Sequence, residues 1–301
     1  MSTRHFLTLR DLEPAELEGL VDRAIALKRE LQQGQRYEPL RNRTLAMIFD
    51  KSSTRTRLSF EVAMTQFGGS AVYLAPGTTQ LGRGELVEDT ARVISRMADA
   101  VVIRTASHGM VETFARYSRV PVINGLTDDY HPCQLLADMQ TFKEHRGPIR
   151  GRRVAWLGDG NNMCNSWINA AWAFGFELRI ATPEAHRPDR AVMDSAQGCA
   201  TWNEDAVAVA RGADLVVTDT WASMGQEEEK EGRVKAFDAY RVDGEMMALA
   251  APDALFMHCL PAYRGYEVSE DVLEGTHSVV WDQAENRLHA QKALLEFLMV
   301  R

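Results

Sequence analysis

Seven residues, Lys51-Ser-Ser-Thr-Arg-Thr-Arg57, gather three cations and four hydroxyls directly after an apolar run, Leu45-Ala-Met-Ile-Phe49. A helical pattern begins at Leu58. At a strand-to-helix turn such a segment can cradle an anion, because the first N–H groups of a helix lack intrahelical partners and the dipole makes that end positive. Hydroxyl and guanidinium donors strengthen the same site. The plainer reading is a capped helix whose arginines face water. If an anion does bind, the protein handles a small phosphorylated molecule.

Other residues of chemical interest stand at the ends of apolar runs. Arg104 closes Ala100-Val-Val-Ile-Arg104, and His131-Pro-Cys-Gln134 opens a helical stretch. Arg, His and Gln can all donate to one carbonyl oxygen, which is what an electrophilic carbonyl needs where negative charge develops. Gly158-Asp-Gly-Asn-Asn-Met163 invites a dinucleotide reading, but Met163 stands where the third fingerprint glycine belongs and no acid sits at the tip of the next strand. A nicotinamide cofactor is therefore not expected. Asn161 and Asn162 could orient an amino-acid head group, or simply cap the helix that follows. Asp219 could pair with an ammonium ahead of a loop rich in small residues, and Cys259 could be a nucleophile, a donor or inert packing.

The elements that would hold these residues alternate. After an opening helix from about Asp11 to Leu31, strands are expected at 45–50, 71–75, 100–105 and 120–124, separated by helices at 57–67, 85–98, 109–118 and 131–145. Gly147-Pro-Ile-Arg-Gly151 interrupts the pattern, and a second series of strands follows at 154–157, 178–181, 215–218, 255–258 and 278–281. A last helix covers about 284–299. This predicts an α/β chain of two doubly wound parallel-sheet domains with an interdomain active-site cleft, since ligands of such sheets sit beyond the strands' carboxyl ends. The domains are expected at 1–147 and 148–284, with a C-terminal helix, 285–301, returning to the first.

Composition agrees with a soluble globular protein of two domains. The chain has 301 residues, 45% of them hydrophobic and 25% charged. Asp and Glu number 42 against 34 Lys and Arg, a net charge of −8, which disfavours nucleic acid and anionic membrane as partners. No run approaches the ~18 apolar residues of a membrane span. Cys133, Cys164, Cys199 and Cys259 form no C-x-x-C pair, so neither zinc nor a redox dithiol is expected, and reduced thiols in the cytoplasm are.

Ser53-Thr-Arg-Thr-Arg57, His131-Pro-Cys-Gln134, Asp219-x-x-x-Ser-Met-Gly225 and His258-Cys-Leu-Pro261 together resemble the ornithine carbamoyltransferases along essentially the whole chain. The resemblance implies transfer of a carbamoyl group from carbamoyl phosphate to L-ornithine without metal or organic cofactor. It assigns the phosphate to Ser53, Thr54, Arg55 and Thr56, and the carbamoyl oxygen to Arg104, His131 and Gln134. Arg287, in Glu285-Asn-Arg287, would return to the carbamoyl phosphate, and Gln80 would reach it from the neighbouring subunit of a homotrimer. Asn162, Asp219, Ser223 and Met224 would bind ornithine, with Cys259 and Leu260 at the carbamoyl group and the attacking amine. Tyr263 stands where the family often has His, a change expected to affect loop packing. A carbamoyltransferase for aspartate, putrescine or an N-acylated ornithine, and a non-catalytic relative, are the alternatives. Asp219 with Ser223-Met-Gly225 discriminates against the first, and the intact cationic segment against the second.

Overall fold

The structure, a computed structural model, describes residues 3–75, 84–221 and 230–300. It divides into two compact units, Met1–Gln140 with Glu285–Arg301, and Thr141–Ala284. The first unit opens with α1 (Pro14–Gln32) and alternates β1 (Thr44–Phe49), α2 (Thr54–Gln66), β2 (Ser70–Leu74), α3 (Val87–Ile94), β3 (Ala100–Arg104), α4 (His108–Tyr117) and β4 (Val122–Leu126). Its sheet is wholly parallel, in the order β2-β1-β3-β4. The strands β1 and β3 are apolar and buried almost throughout, as parallel strands covered on both faces must be. Against one face pack Phe114, Val111 and Ala91 from α3 and α4.

Helix α5 (Pro132–Arg146) follows, and the division between the units falls within it. The second unit continues with β5 (Arg153–Leu157), α6 (Asn162–Phe174), β6 (Glu177–Ala181), α7 (Arg190–Ser195), β7 (Ala200–Trp202), α8 (Ala206–Ala210) and β8 (Leu215–Thr218). Then come α9 (Lys230–Phe237), α10 (Gly244–Leu249), β9 (Leu255–His258), α11 (Glu270–Leu273) and α12 (Val280–Met299), within which the second division falls. This sheet is also wholly parallel, in the order β7-β6-β5-β8-β9. Both sheets reverse the direction of strand addition once, between β1 and β3 and between β5 and β8. Those two reversals are the places where such sheets bind ligands.

Two expectations need correction. Ser278-Val-Val-Trp281 is not a strand: Ser278 makes one parallel bridge to Phe256, and α12 begins at Val280. The β-branched residues that suggested a strand instead bury Val279 and Val280 at the start of a helix. The strand expected at 120–124 starts at Val122, because Pro121 has no N–H to give the ladder and contributes only its carbonyl, to Val101. The short strand β7 carried too little apolar pattern to be foreseen.

The Gly158–Met163 turn also differs from a dinucleotide site in a physical way. Gly160 donates its N–H to the carbonyl of His186 at 3.0 Å, so a backbone donor that a diphosphate would use is spent within the chain. A Cβ on Gly160 would lie against the His186 carbonyl and 2.5 Å from Pro188 N. Gly160→Ala is therefore expected to destabilise the protein by about 1–3 kcal/mol, read as a lower urea midpoint at unchanged slope.

Candidate functional site

The first cluster forms where β1 and β3 end side by side, Asp50 N–H donating to the Arg104 carbonyl at 2.8 Å. Ser53 is the extended N-cap of α2, its hydroxyl accepting from Thr56 N–H at 3.2 Å. The hydroxyl's own proton is not used in that bond, so capping and anion binding are compatible. No acidic residue occupies the first turn of α2, which leaves its positive end uncompensated by a nearby carboxylate. The cations of the segment separate. Lys51 pairs with Asp128 at 2.8 Å, while Arg57 pairs with Glu61 at 2.9 Å and lies over the Tyr73 ring. Half-buried Arg55 makes no ion pair among the described residues.

Arg287 connects this turn to α5. Its guanidinium is 3% exposed and donates through Nη2 to Thr56 Oγ1 at 3.2 Å and through Nη1 to Gln134 Oε1 at 2.5 Å. Gln134 in turn gives one of its two amide N–H groups to Asp138 at 2.8 Å, which sets the orientation of the amide. His131 is buried beside them. Burial above all, then the charges of Arg287, Arg104 and Arg55, hold its pKa well below the ordinary 6.5, so the imidazole is neutral. Cys133, in the same motif, is packing: burial pushes its thiol up to about 12, and it donates to the Asn124 carbonyl. Ser53, Thr54, Arg55, Thr56, Arg104, His131, Gln134 and Arg287 thus all lie within the first unit, and His131 feels the charge of three of the arginines.

The second cluster sits at the ends of β5, β8 and β9. Asn161 caps α6, accepting from Met163 and Cys164 N–H at 3.0 and 3.1 Å, and its amide donates to Asp219 Oδ2 at 2.9 Å. The Cys259 thiol donates to Asp219 Oδ1 at 3.2 Å, so each carboxylate oxygen has a donor. Asn162, the first residue of α6, stands next to the N-cap Asn161. Leu260 has φ +59°, and its N–H donates to His258 Nδ1 at 2.9 Å. A left-handed leucine costs of order 1–3 kcal/mol and persists only where neighbours impose it. Here His258 is the neighbour: its Nε2 lies 3.3 Å from Glu267, and Glu267 accepts from Tyr263 N–H at 2.6 Å. The Tyr263 ring meets Tyr266 edge-on.

Asp219, His258 and Cys259 could offer a metal one ligand atom each within 4.8 Å of one another. His258 already holds Leu260 through Nδ1 and faces Glu267 through Nε2, so ligation would break one of these contacts.

Several members of the second cluster were not singled out from sequence. Arg233 donates to the Trp221 carbonyl and to Asp159, tying the turn after β5 to the segment after β8. Burial raises the Asp159 carboxyl, and Arg233 opposes that rise. Asn161 is singled out by its place in the turn, whereas Arg233 carried no signal because its partner Asp159 lies 74 residues away, and Glu267, close in sequence to His258 and Tyr263, belongs to no motif. Gln80, Ser223 and Met224 lie outside the described residues.

Residues 4–144 match the family described as aspartate/ornithine carbamoyltransferase, carbamoyl-P binding domain. Residues 150–298 match aspartate/ornithine carbamoyltransferase, Asp/Orn binding domain. The chain is 60% identical over 301 residues to the ornithine carbamoyltransferase of Hydrogenovibrio crunogenus, covering 100% of each. Among solved structures it is similar to ornithine carbamoyltransferase from Burkholderia thailandensis, with 51% identity, 99% of each chain covered and a TM-score of 0.92. It is also similar to anabolic ornithine carbamoyltransferase from Campylobacter jejuni, with 45% identity, 99% of each chain covered and a TM-score of 0.92.

The lowered pKa of His131 can be checked directly. Its ring NMR shifts should stay those of a neutral imidazole from about pH 8 down through about pH 6, where an ordinary histidine is mostly charged. Because the unfolded chain takes up this proton near 6.5 and the folded one resists, the contribution of His131 to stability is present above that value and is lost as pH falls below it.

Proposed function

The chain belongs to the aspartate/ornithine carbamoyltransferase family, and we propose that it transfers the carbamoyl group of carbamoyl phosphate to the side-chain amine of L-ornithine, giving L-citrulline and phosphate. The observation that carries this reading is the neutral His131 amid the charges of Arg55, Arg104 and Arg287, beside the acid-free start of α2. A phosphate placed at Ser53, Thr54, Arg55 and Thr56 meets the helix end and a guanidinium. Its carbamoyl oxygen then faces Arg104, His131 and Gln134, whose donors stabilise the charge that develops there.

The acyl phosphate carries its own leaving group, so the chain's tasks are positioning and charge stabilisation. Holding both substrates in attack geometry can lower the barrier by up to ~7–11 kcal/mol. The amine must arrive neutral. With a pKa near ~10.4, about one ammonium in 2,500 is deprotonated at pH 7, a cost of about 4.6 kcal/mol. Asp219, held by Asn161 and Cys259, presents a carboxylate that attracts an amine and repels an acidic acceptor such as aspartate. Asn162, Ser223 and Met224 complete the proposed ornithine site, and Leu260 with Cys259 lines the place of transfer. A biosynthetic role is supported by the likeness to the Campylobacter jejuni enzyme, and a cytoplasmic one by four free cysteines. Among the described residues no helix is long and apolar enough to cross a membrane.

Phosphate release on carbamoyl transfer, measured with ornithine and with putrescine as acceptors, tests the assignment. Ornithine should be the preferred acceptor, the rate should rise from about pH 6 to about pH 9 as the amine deprotonates, and Asp219→Ala should sharply lower ornithine turnover. Undiminished ornithine turnover in Asp219→Ala would remove Asp219 from the site.

We also propose a homotrimer in which Gln80 serves the neighbouring subunit's site. Mixed trimers of Gln80→Ala and Arg55→Ala chains should then recover activity that neither variant shows alone, and verified mixed trimers without recovery would refute the shared site.

A further inference from the structure

The helix that carries Arg287 carries a second buried cation one and a half turns further on. Lys292 is 4% exposed, yet it makes no ion pair among the described residues. Its ammonium has three donors. One goes to the neutral Gln66 Oε1 at 3.0 Å, and the Phe67 ring lies 4.8 Å away. Taking a lysine charge out of water is costly, and burial lowers its pKa against the opposing pull of Glu30 and Glu296.

Lys292 borders a cavity of about 230 Å³ in the first unit, formed by the end of α1, the segment 35–38, the end of α2 and α12. The acids at this cavity each have a cationic partner, though two of them share one guanidinium. Glu30 pairs with Arg23 at 2.7 Å, and Glu38 with Arg41 at 2.7 Å. Glu296, which also faces Lys292, takes Arg23 and the Tyr37 hydroxyl. With Arg23 and Arg41, Lys292 and the exposed rim residue Arg36 bring the cations here to four against three acids, a surplus of one. The charge balance therefore favours an anion, and the volume, below the roughly 300–1,000 Å³ of drug-sized pockets, limits it to a small one.

We propose that this cavity is a binding site for a small oxyanion, anchored by Lys292 and assisted at its rim by Arg36, distinct from the cluster around Arg55. Its place in the fold links it to that cluster. Helix α2 is tied to α12 at both ends, Thr56 to Arg287 and Gln66 to Lys292. An anion that takes the Lys292 donors competes with Gln66 for them, and so acts on the helix whose other end is proposed to hold the substrate phosphate.

Calorimetric titration with inorganic phosphate tests the site, with circular dichroism melts confirming that each variant is folded. The wild-type chain should bind at two places. Arg55→Ala should remove one and retain the other, and adding Lys292→Met should weaken the retained site by roughly tenfold or more, the loss of one charged contact. Arg36→Ala, at an exposed position that folding does not depend on, should weaken it severalfold and serves if Lys292→Met does not fold. Phosphate binding to Arg55→Ala that is absent, or that neither Lys292→Met nor Arg36→Ala alters, would overturn the proposal. A phosphate site lost with Lys292 but none lost with Arg55 would instead contradict the substrate site proposed above and leave the cavity standing.

Discussion

A guanidinium cannot shed its charge, so burying one commits its surroundings to satisfying it. Arg287 imposes that commitment on the first unit. It reaches from α12 to Gln134, 153 residues earlier, and to Thr56, 231 residues earlier. These bonds hold the start of α2 and the start of α5 to the same side chain, and through Gln134 they set Asp138 as well. His131 is the next consequence. Packed into a region already positive, its imidazole is more stable without a proton, which makes it a neutral donor instead of one more cation. On the proposed reading, this is how the unit concentrates positive charge where a dianion lands while keeping its carbonyl-polarising groups uncharged.

The second unit solves a different problem with one carboxylate. Asp219 is held by an amide on one oxygen and a thiol on the other, neither of them charged, which on the proposed reading leaves it to attract an amine. The neighbouring acid, Asp159, is the one given a cation, Arg233. Two acids near each other thus have separate surroundings, one paired with a cation within the chain and one, on the proposed reading, facing a ligand. The buried pair of His258 and Glu267 supports the strained Leu260, and with it the position of Cys259.

Much of this was legible in the sequence because strand-to-helix alternation is a local, periodic signal. The runs at 45–49, 100–104, 154–157 and 215–218 read as strands, and the residues just after them read as chemistry. What the sequence left hidden was non-local. Ser278 to Trp281 has the composition of a strand, but only pairing with Phe256 could decide how much of it joins the sheet, and one bridge formed. Gly160 looked like half a nucleotide fingerprint until the 186–188 segment came to lie against it. Asn161 offered both a cap and a polar head, and it turns out to serve both, holding α6 and Asp219 together. Arg233 could be recognised only once the fold had brought Asp159 near.

The central claim is that the arginine-flanked turn at Ser53–Thr56 receives a phosphate whose carbonyl faces neutral His131, while Asp219 receives the amine. A crystal structure with a phosphonoacetyl group joined to the side-chain amine of ornithine tests all of it at once. The account predicts the phosphonate on Ser53, Thr54, Arg55 and Thr56, the carbonyl oxygen within hydrogen-bond reach of Arg104 and His131, and the linked nitrogen beside Asp219 and Cys259. A phosphonate bound elsewhere, or a carbonyl turned away from His131, would contradict it.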